Sequence, residues 1–303
     1  MSGDISKLTT EKRNPGTMDL DEMTPEEIIK IMNQEDAKAV RAVSEMIPQI
    51  VKAIEKTTSS LKRGGRIIYI GAGTSGRLGI LDAAECPPTF GVDPSMVVGL
   101  IAGGEKAFLK AVEGAEDNPD LACEDLKEIK AGVQDTVISI AASGRTPYCI
   151  GGLKYARKAG CSTVSISCNK NAEQSKYADV AIEVETGPEV ITGSTRLKAG
   201  TAEKMILNMI STVSMIEIGK VYENLMVDVV QTNEKLHQRA ENIVEQATGC
   251  SREEAIRELE LSDGDAKLSI VHYLLKTDLE TARQRLKEAG GHIGAAIGEK
   301  GSI

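Results

Sequence analysis

Five short, nearly unbroken apolar runs, at 66–70, 96–101, 136–140, 162–167 and 180–184, punctuate the middle of the chain. Between them the apolar residues fall at helical spacing. A strand with one face in water alternates apolar and polar residues, whereas a run such as Ile67-Ile68-Tyr69-Ile70 is built for burial on both faces. Such strands alternating with helices predict an α/β domain, a five-stranded parallel sheet with helices on both faces.

The flanks read as helical. Residues 1–20 are polar, carry Pro15 and Gly16, and predict an extended arm. Thr24-Pro25-Glu26-Glu27 then marks a helix start: Thr24 caps, Pro25 fits the first turn and Glu27 closes a capping box. Val40, Val43, Ile47, Ile50, Val51 and Ile54 predict a second helix over about 36–62. Further helices are expected after the first strand, stopping before Pro87-Pro88, then over 147–158, and over about 199–219. The Met205, Ile206, Met209, Ile210, Val213, Met215 stripe of the last reads as core, or in part as a subunit interface. Beyond Asn224 the chain reads as helical, and Ser251-Arg252-Glu253-Glu254 opens a small new module. The expected partition is a helical N-terminal arm over 1–45, a sheet domain over 46–225 and a C-terminal helical module over 226–303.

Composition narrows the partners. With no Trp, two Phe, six Tyr and a net charge of -9, the chain lacks both the flat rings and the cationic footprint that nucleic acid requires. None of the six cysteines forms a CxxC pair, so they read as small hydrophobes in a reduced protein. No apolar run is long enough for a bilayer and the N-terminus has no signal-peptide core, which predicts a cytoplasmic protein with no membrane partner.

Three loops carry candidate chemistry: GAGTSGR at 71–77, AASGRTP at 141–147 and TGSTRLKAGT at 192–201, each opening a predicted helix. Free N–H groups at a helix start favour an anion, and glycine lets successive N–H groups converge on it. Ser75, Ser143, Ser194 and Thr195 add hydroxyl donors. In a parallel sheet such loops gather at the carboxyl ends of the strands, so a small phosphorylated ligand is implied. GAGTSG also fits a dinucleotide motif, but the acidic residue that motif wants after the next strand arrives only at Glu105. Arg77, Arg145 and Arg196 read either as phosphate ligands or as helix-end salt bridges.

Two carboxylates stand out as acid–base candidates. Glu85 lies among Ala, Cys and Pro in Ala83-Ala84-Glu85-Cys86-Pro87-Pro88, where poor solvation would raise its pKa toward that of a general acid. Glu116 lies in Gly114-Ala115-Glu116-Asp117-Asn118-Pro119. Each also reads as an ordinary capping or solvated carboxylate. His237, His272 and His292 lack metal-ligand spacing; His237 reads as a substrate contact or a helix-surface residue.

The runs GAGTSGRLGILDAAECPPTFGV, VVGLIAGGEKAFLKAVEGAED, SIAASGRTPY, GPEVITGSTRLKAGTA and NLMVDVVQTNEKLHQR resemble the N-acetylmuramic acid 6-phosphate etherases of the sugar isomerase (SIS) superfamily. ECPPT, VEGAED and GSTRLKAGT discriminate most, and the resemblance covers most of the chain. It implies a flavodoxin-like three-layer sandwich and removal of the lactyl ether from N-acetylmuramic acid 6-phosphate. The products are N-acetylglucosamine 6-phosphate and D-lactate, formed by elimination from the open-chain aldehyde and addition of water. By the same resemblance Glu85 is the acid for the departing oxygen and Glu116 the base for the C2 proton. Substrate or phosphate contacts are implied at Gly73, Thr74, Ser75, Ser143, Gly144, Arg145, Thr146, Glu189, Ser194, Thr195, Lys198 and His237. A homodimer, a ubiquitin-associated-like C-terminal module, and no cofactor or metal are also implied. The rivals are a sugar-phosphate isomerase or a non-catalytic phosphosugar sensor on this fold, and a nucleotide-binding protein.

Overall fold

A computed structural model describes residues 8–110, 112–229 and 234–299. Residues 1–7 of the expected arm, residues 230–233 of the VVQTN segment and the last four residues lie outside the described residues. The chain separates into two compact units, one of Met1–Ala84 with Ser95–Ser211, the other of Glu85–Pro94 with Thr212–Ile303.

In the first unit the sheet has five parallel strands, β1 (Ile67–Gly71), β2 (Val97–Ile101), β3 (Thr136–Ile140), β4 (Ser162–Ser167) and β5 (Val180–Glu183), in the order β2-β1-β3-β4-β5. Both faces are covered, as the unbroken apolar runs predict. On one face Ile68, Ile70 and Val137 pack with Ala122 and Leu126 of α5 (Pro119–Glu128) and with Ala156 of α6 (Pro147–Lys158). A Cβ on Gly152 of α6 would lie 2.3 Å from Ile70 Cδ1, so only glycine lets α6 come this close to β1. On the other face a Cβ on Gly79 of α3 (Gly73–Phe90) would lie 2.9 Å from the Tyr69 Cβ. There the Tyr69 hydroxyl donates to Asp82 (2.8 Å), which also accepts from Asn208 (2.9 Å) and Ser211 (3.1 Å) of α7 (Lys198–Ile216). The short helix α4 (Lys106–Leu109) follows β2.

Helix α1 spans Pro25–Glu45 and α2 spans Ile47–Lys62. The capping box forms as read: Glu27 N–H reaches Thr24 Oγ1 (3.4 Å) and Thr24 N–H reaches the Glu27 carboxylate (2.8 Å). The expected 36–62 helix is interrupted at Met46, and Pro48 sits in the first turn of α2. The arm is not extended. Residues 8–22 form three 3-10 turns, and Asn169 after β4 accepts from the N–H (2.8 Å) and hydroxyl (2.9 Å) of Thr9, while Thr17 donates to the Val190 carbonyl (3.0 Å).

α3 also departs from expectation, because it runs through Pro87 and Pro88 to Phe90. Both prolines fall in its last turns, where only two carbonyls lose their intrahelical donor. The helix is closed instead by Gly91, at φ +60°, whose N–H bonds the Pro87 carbonyl (2.9 Å).

The second unit is mainly helical: α8 (Glu234–Thr248), α9 (Arg252–Leu261), α10 (Ala266–Leu275), α11 (Leu279–Glu288) and α12 (Ile293–Ala296). Its core gathers Ile243, Val244, Leu259, Ile270, Val271 and Leu286. Ser251 caps α9, and Glu254 completes a capping box with it. The segment after Ile216 is not wholly helical: β6 (Val221–Tyr222) and β7 (Leu225–Met226) pair antiparallel around Glu223, at φ +52°. Lys267 of α10 joins this region to the helices, donating to Asp228 (2.6 Å) and to the Gly219 carbonyl (2.8 Å).

Candidate active site

The strand order reverses beside β1, so the chain leaves β1 and β3 at a switch point on the carboxyl edge of the sheet, the place where open parallel sheets bind ligands. Gly71 and Ile140 end these neighbouring strands in register. The first loop holds Gly73 at φ +54° and exposed, Thr74 half-buried and Ser75 buried. In the second, Gly144 has φ +67° and a Cβ there would lie 2.4 Å from that of Ala172, so glycine is required. Ser143 Oγ accepts from the Arg145 N–H (3.3 Å), which leaves its own hydrogen to donate elsewhere. Arg145 and Thr146 are half-buried at the start of α6.

Glu116 belongs beside this second loop. Its carbonyl accepts from the Tyr148 N–H (3.0 Å) in the first turn of α6, and its side chain is exposed. The neighbouring residues Gly114, Ala115 and Asn118 line a cavity with Gly103 and Gly104 that follow β2.

The third loop behaves differently from expectation. The Glu189 carboxylate accepts from the N–H groups of Lys198 (3.2 Å) and Ala199 (3.0 Å), so an internal anion already occupies the start of α7. Burial raises the Glu189 pKa, and these two N–H groups oppose the rise. Ser194 and Thr195 remain half-exposed ahead of the helix. Lys198 is 1% exposed, and its ammonium pairs with Glu35 of α1, which Lys38 also contacts (2.5 Å). Burial would raise the Glu35 pKa, but hydrogen bonds from Lys198, Lys38 and Asn14 outweigh it and hold the carboxyl below its ordinary range.

Glu85 and His237 belong to the second unit. Glu85 is exposed, so the burial expected from its Ala, Cys and Pro neighbours is not present. It lines a cavity of about 680 Å³ with Pro87, Thr89, Met226, Leu236 and Arg239. His237 is exposed on α8, between two residues that line that cavity. The structure thus brings the 73–75 and 143–146 loops and Glu116 to one edge of the first unit, and sets Glu85 in a cavity of the second.

Arg77 takes the structural role, donating to the carbonyls of Phe108 (2.7 Å) and Ala107 (2.8 Å). One buried group at this edge was not singled out from the sequence. Glu203 of α7 is 0% exposed and both its oxygens accept from Ser75 Oγ, at 3.0 and 2.9 Å. Burial pushes its pKa up to about 8, with the Ser75 hydrogen bond opposing. The signal was available: Ala199, Glu203, Ile206 and Ile210 share one helical stripe, and all four are fully buried.

The sheet, its strand order and its Gly-Ser loops define a sugar isomerase (SIS) fold. A family described as glucokinase regulatory protein N-terminal SIS domain matches residues 49–157. A phosphoheptose isomerase from Neisseria gonorrhoeae superposes with a TM-score of 0.51 at 15% identity, over 63% of this chain and 99% of that one. Within that class the sequence is more specific. Proteins named N-acetylmuramic acid 6-phosphate etherase from Exiguobacterium sp. and Bacillus cereus are 58% and 59% identical, each over 97% of this chain and 100% of the relative. The chain belongs to the N-acetylmuramic acid 6-phosphate etherase family.

Proposed function

We propose that this protein is a carbon–oxygen lyase that cleaves the D-lactyl ether of N-acetylmuramic acid 6-phosphate, giving N-acetylglucosamine 6-phosphate and D-lactate. The observation that carries this reading is the full-length identity to proteins of that name, together with Glu85 and Glu116 at the positions the resemblance assigns. The chemistry asks for one base and one acid. Removal of the C2 proton next to the open-chain aldehyde gives an enolate, and the β-alkoxide leaves only if its oxygen is protonated. Glu116 takes the proton and Glu85 supplies the one that departs with lactate; water then adds to the β-carbon. Positioned acid–base groups of this kind contribute ~10²–10⁴-fold each. The 73–75 and 143–146 loops hold the phosphate and so fix C2 relative to the base.

The remaining assignments belong to the same reading. The substrate contacts are Gly73, Thr74, Ser75, Ser143, Gly144, Arg145, Thr146, Glu189, Ser194, Thr195, Lys198 and His237. Of these, Glu189 and Lys198 act through the shape of the third loop, since their charged ends are engaged internally. The protein works as a homodimer in the cytoplasm on cell-wall amino sugars. Support for pairing comes from Ile29, Val40, Ile47 and Val51, which stand about half exposed or more on α1 and α2. Among the described residues no helix is long and apolar enough to cross a membrane. The helical module over 226–303 is the ubiquitin-associated-like part of the chain.

Reaction in ¹⁸O-water tests the mechanism. Elimination followed by hydration puts the label in the sugar and none in the lactate; label in the lactate would mean a different bond is cut.

A further inference from the structure

Ser75 has a single hydroxyl hydrogen, and while Glu203 is ionised that hydrogen is spent on its carboxylate, both of whose oxygens lie within hydrogen-bond distance. A hydroxyl committed in this way offers an incoming anion only lone pairs. Behind it, an ionised Glu203 would add a buried negative charge with no ion pair among the described residues. That is the wrong arrangement for a loop that must receive a phosphate, and it is reversed by one proton.

We propose that Glu203 serves in its neutral form as a positioning residue, donating its carboxyl proton to Ser75 Oγ so that the Ser75 hydroxyl hydrogen turns to the substrate's phosphate. This rests on the phosphosugar reading of the 73–75 loop and deepens it. The proton count balances: neutral Glu203 has one donor, Ser75 passes on one donor, and the anion accepts it. Where Glu203 is ionised before binding, the complex takes up one proton from solvent.

The surroundings favour the neutral form. Glu203 is wholly buried, and desolvation is the largest influence on it, placing its pKa at about 8. The titratable groups that feel its charge are Cys149 of α6 and Cys168 after β4, both wholly buried thiols raised by desolvation and therefore neutral. Glu116 acts on Cys149, and Glu189, itself beside the buried Lys198, acts on Cys168, but for Glu203 the influences are desolvation, which raises its pKa, and the Ser75 hydrogen bond, which opposes the rise. The phosphate's second ionisation, near ~6, is separated from this event.

The test is calorimetric binding of N-acetylglucosamine 6-phosphate, which is not cleaved, from pH 6.5 to 9.5 in two buffers of different ionisation enthalpy. Wild-type affinity is expected to hold below about pH 8 and then to fall by up to about tenfold per pH unit, with net proton uptake. Glu203→Gln carries a permanent amide donor and is expected to bind without this pH dependence and without proton uptake. Ser75→Ala keeps Glu203 and is expected to lose roughly tenfold or more in affinity at pH 7 and to lose the same pH dependence. Identical profiles for wild type and both variants would overturn the inference while leaving the phosphosugar site in place. No binding by wild type at any pH would overturn the phosphosugar reading, and this inference with it.

Discussion

At the scale of single residues, the strongest departure from ordinary behaviour is a carboxyl that prefers to stay protonated. Glu203 binds its proton more tightly folded than unfolded, since burial raises its pKa to about 8 from 4.5. Between those values the folded state holds a proton that the unfolded state has released, so this group makes stability fall as pH rises from about 5 to 8. Asp82, also raised by burial, acts in the same sense. Comparing wild type with Glu203→Gln isolates the first of these. In urea unfolding, the wild-type midpoint is expected to drop relative to the variant across that range; a constant difference would mean that Glu203 is ionised throughout. Residues of this kind are legible only in part. Glu203 could be found from its place on a buried stripe, as could Glu35, which shares its face of α1 with the buried Ala39 and Val43. The contrast with Glu85 shows the limit, because apolar neighbours in sequence did not bury its side chain. Neighbours along a helix point in different directions, and only those one turn away share an environment.

At the scale of elements, α1 is clasped to the start of α7 by the buried Glu35–Lys198 pair. Removing one partner strands the other charge. Glu35→Gln is therefore expected to lose about 3–5 kcal/mol in a urea titration; a loss below ~1 kcal/mol, as for an exposed pair, would contradict the burial. The α5–α6 contact depends on a missing side chain, because a Cβ on Gly151 would lie 2.0 Å from the Pro119 carbonyl oxygen. Gly151→Ala is expected to destabilise by about 1–3 kcal/mol, since rigid backbone must move; wild-type stability would contradict the close packing. The strands were read well from sequence because burial on both faces leaves an unbroken apolar signature. The β6–β7 hairpin was missed because two-residue strands have no room for a period. Pro87-Pro88 signals a stop too early for α3, because a helix's last turns tolerate proline.

At the scale of the whole molecule, the fold class followed from the alternation of buried strands and helices, whereas the reaction came from resemblance in ECPPT, VEGAED and GSTRLKAGT. No periodicity could have supplied it, since folds of one architecture serve many chemistries. Some pieces are assembled only in space: Glu85–Pro94 joins a unit whose other residues begin at Thr212. The proposed homodimer makes a solution prediction. Sedimentation at micromolar concentration is expected to give twice the chain mass, and paired Ile47→Glu and Val51→Glu substitutions to shift it toward the monomer. A wild-type monomer would remove the dimer from the account.

The central claim is tested most directly by D-lactate release from N-acetylmuramic acid 6-phosphate, measured for wild type, Glu85→Gln and Glu116→Gln under one set of conditions. Steady release by the wild type is expected, reduced by about 10²-fold or more in each folded variant. A well-folded wild type that binds the phosphosugar and releases no lactate would contradict the etherase assignment and favour a sensor on the same fold.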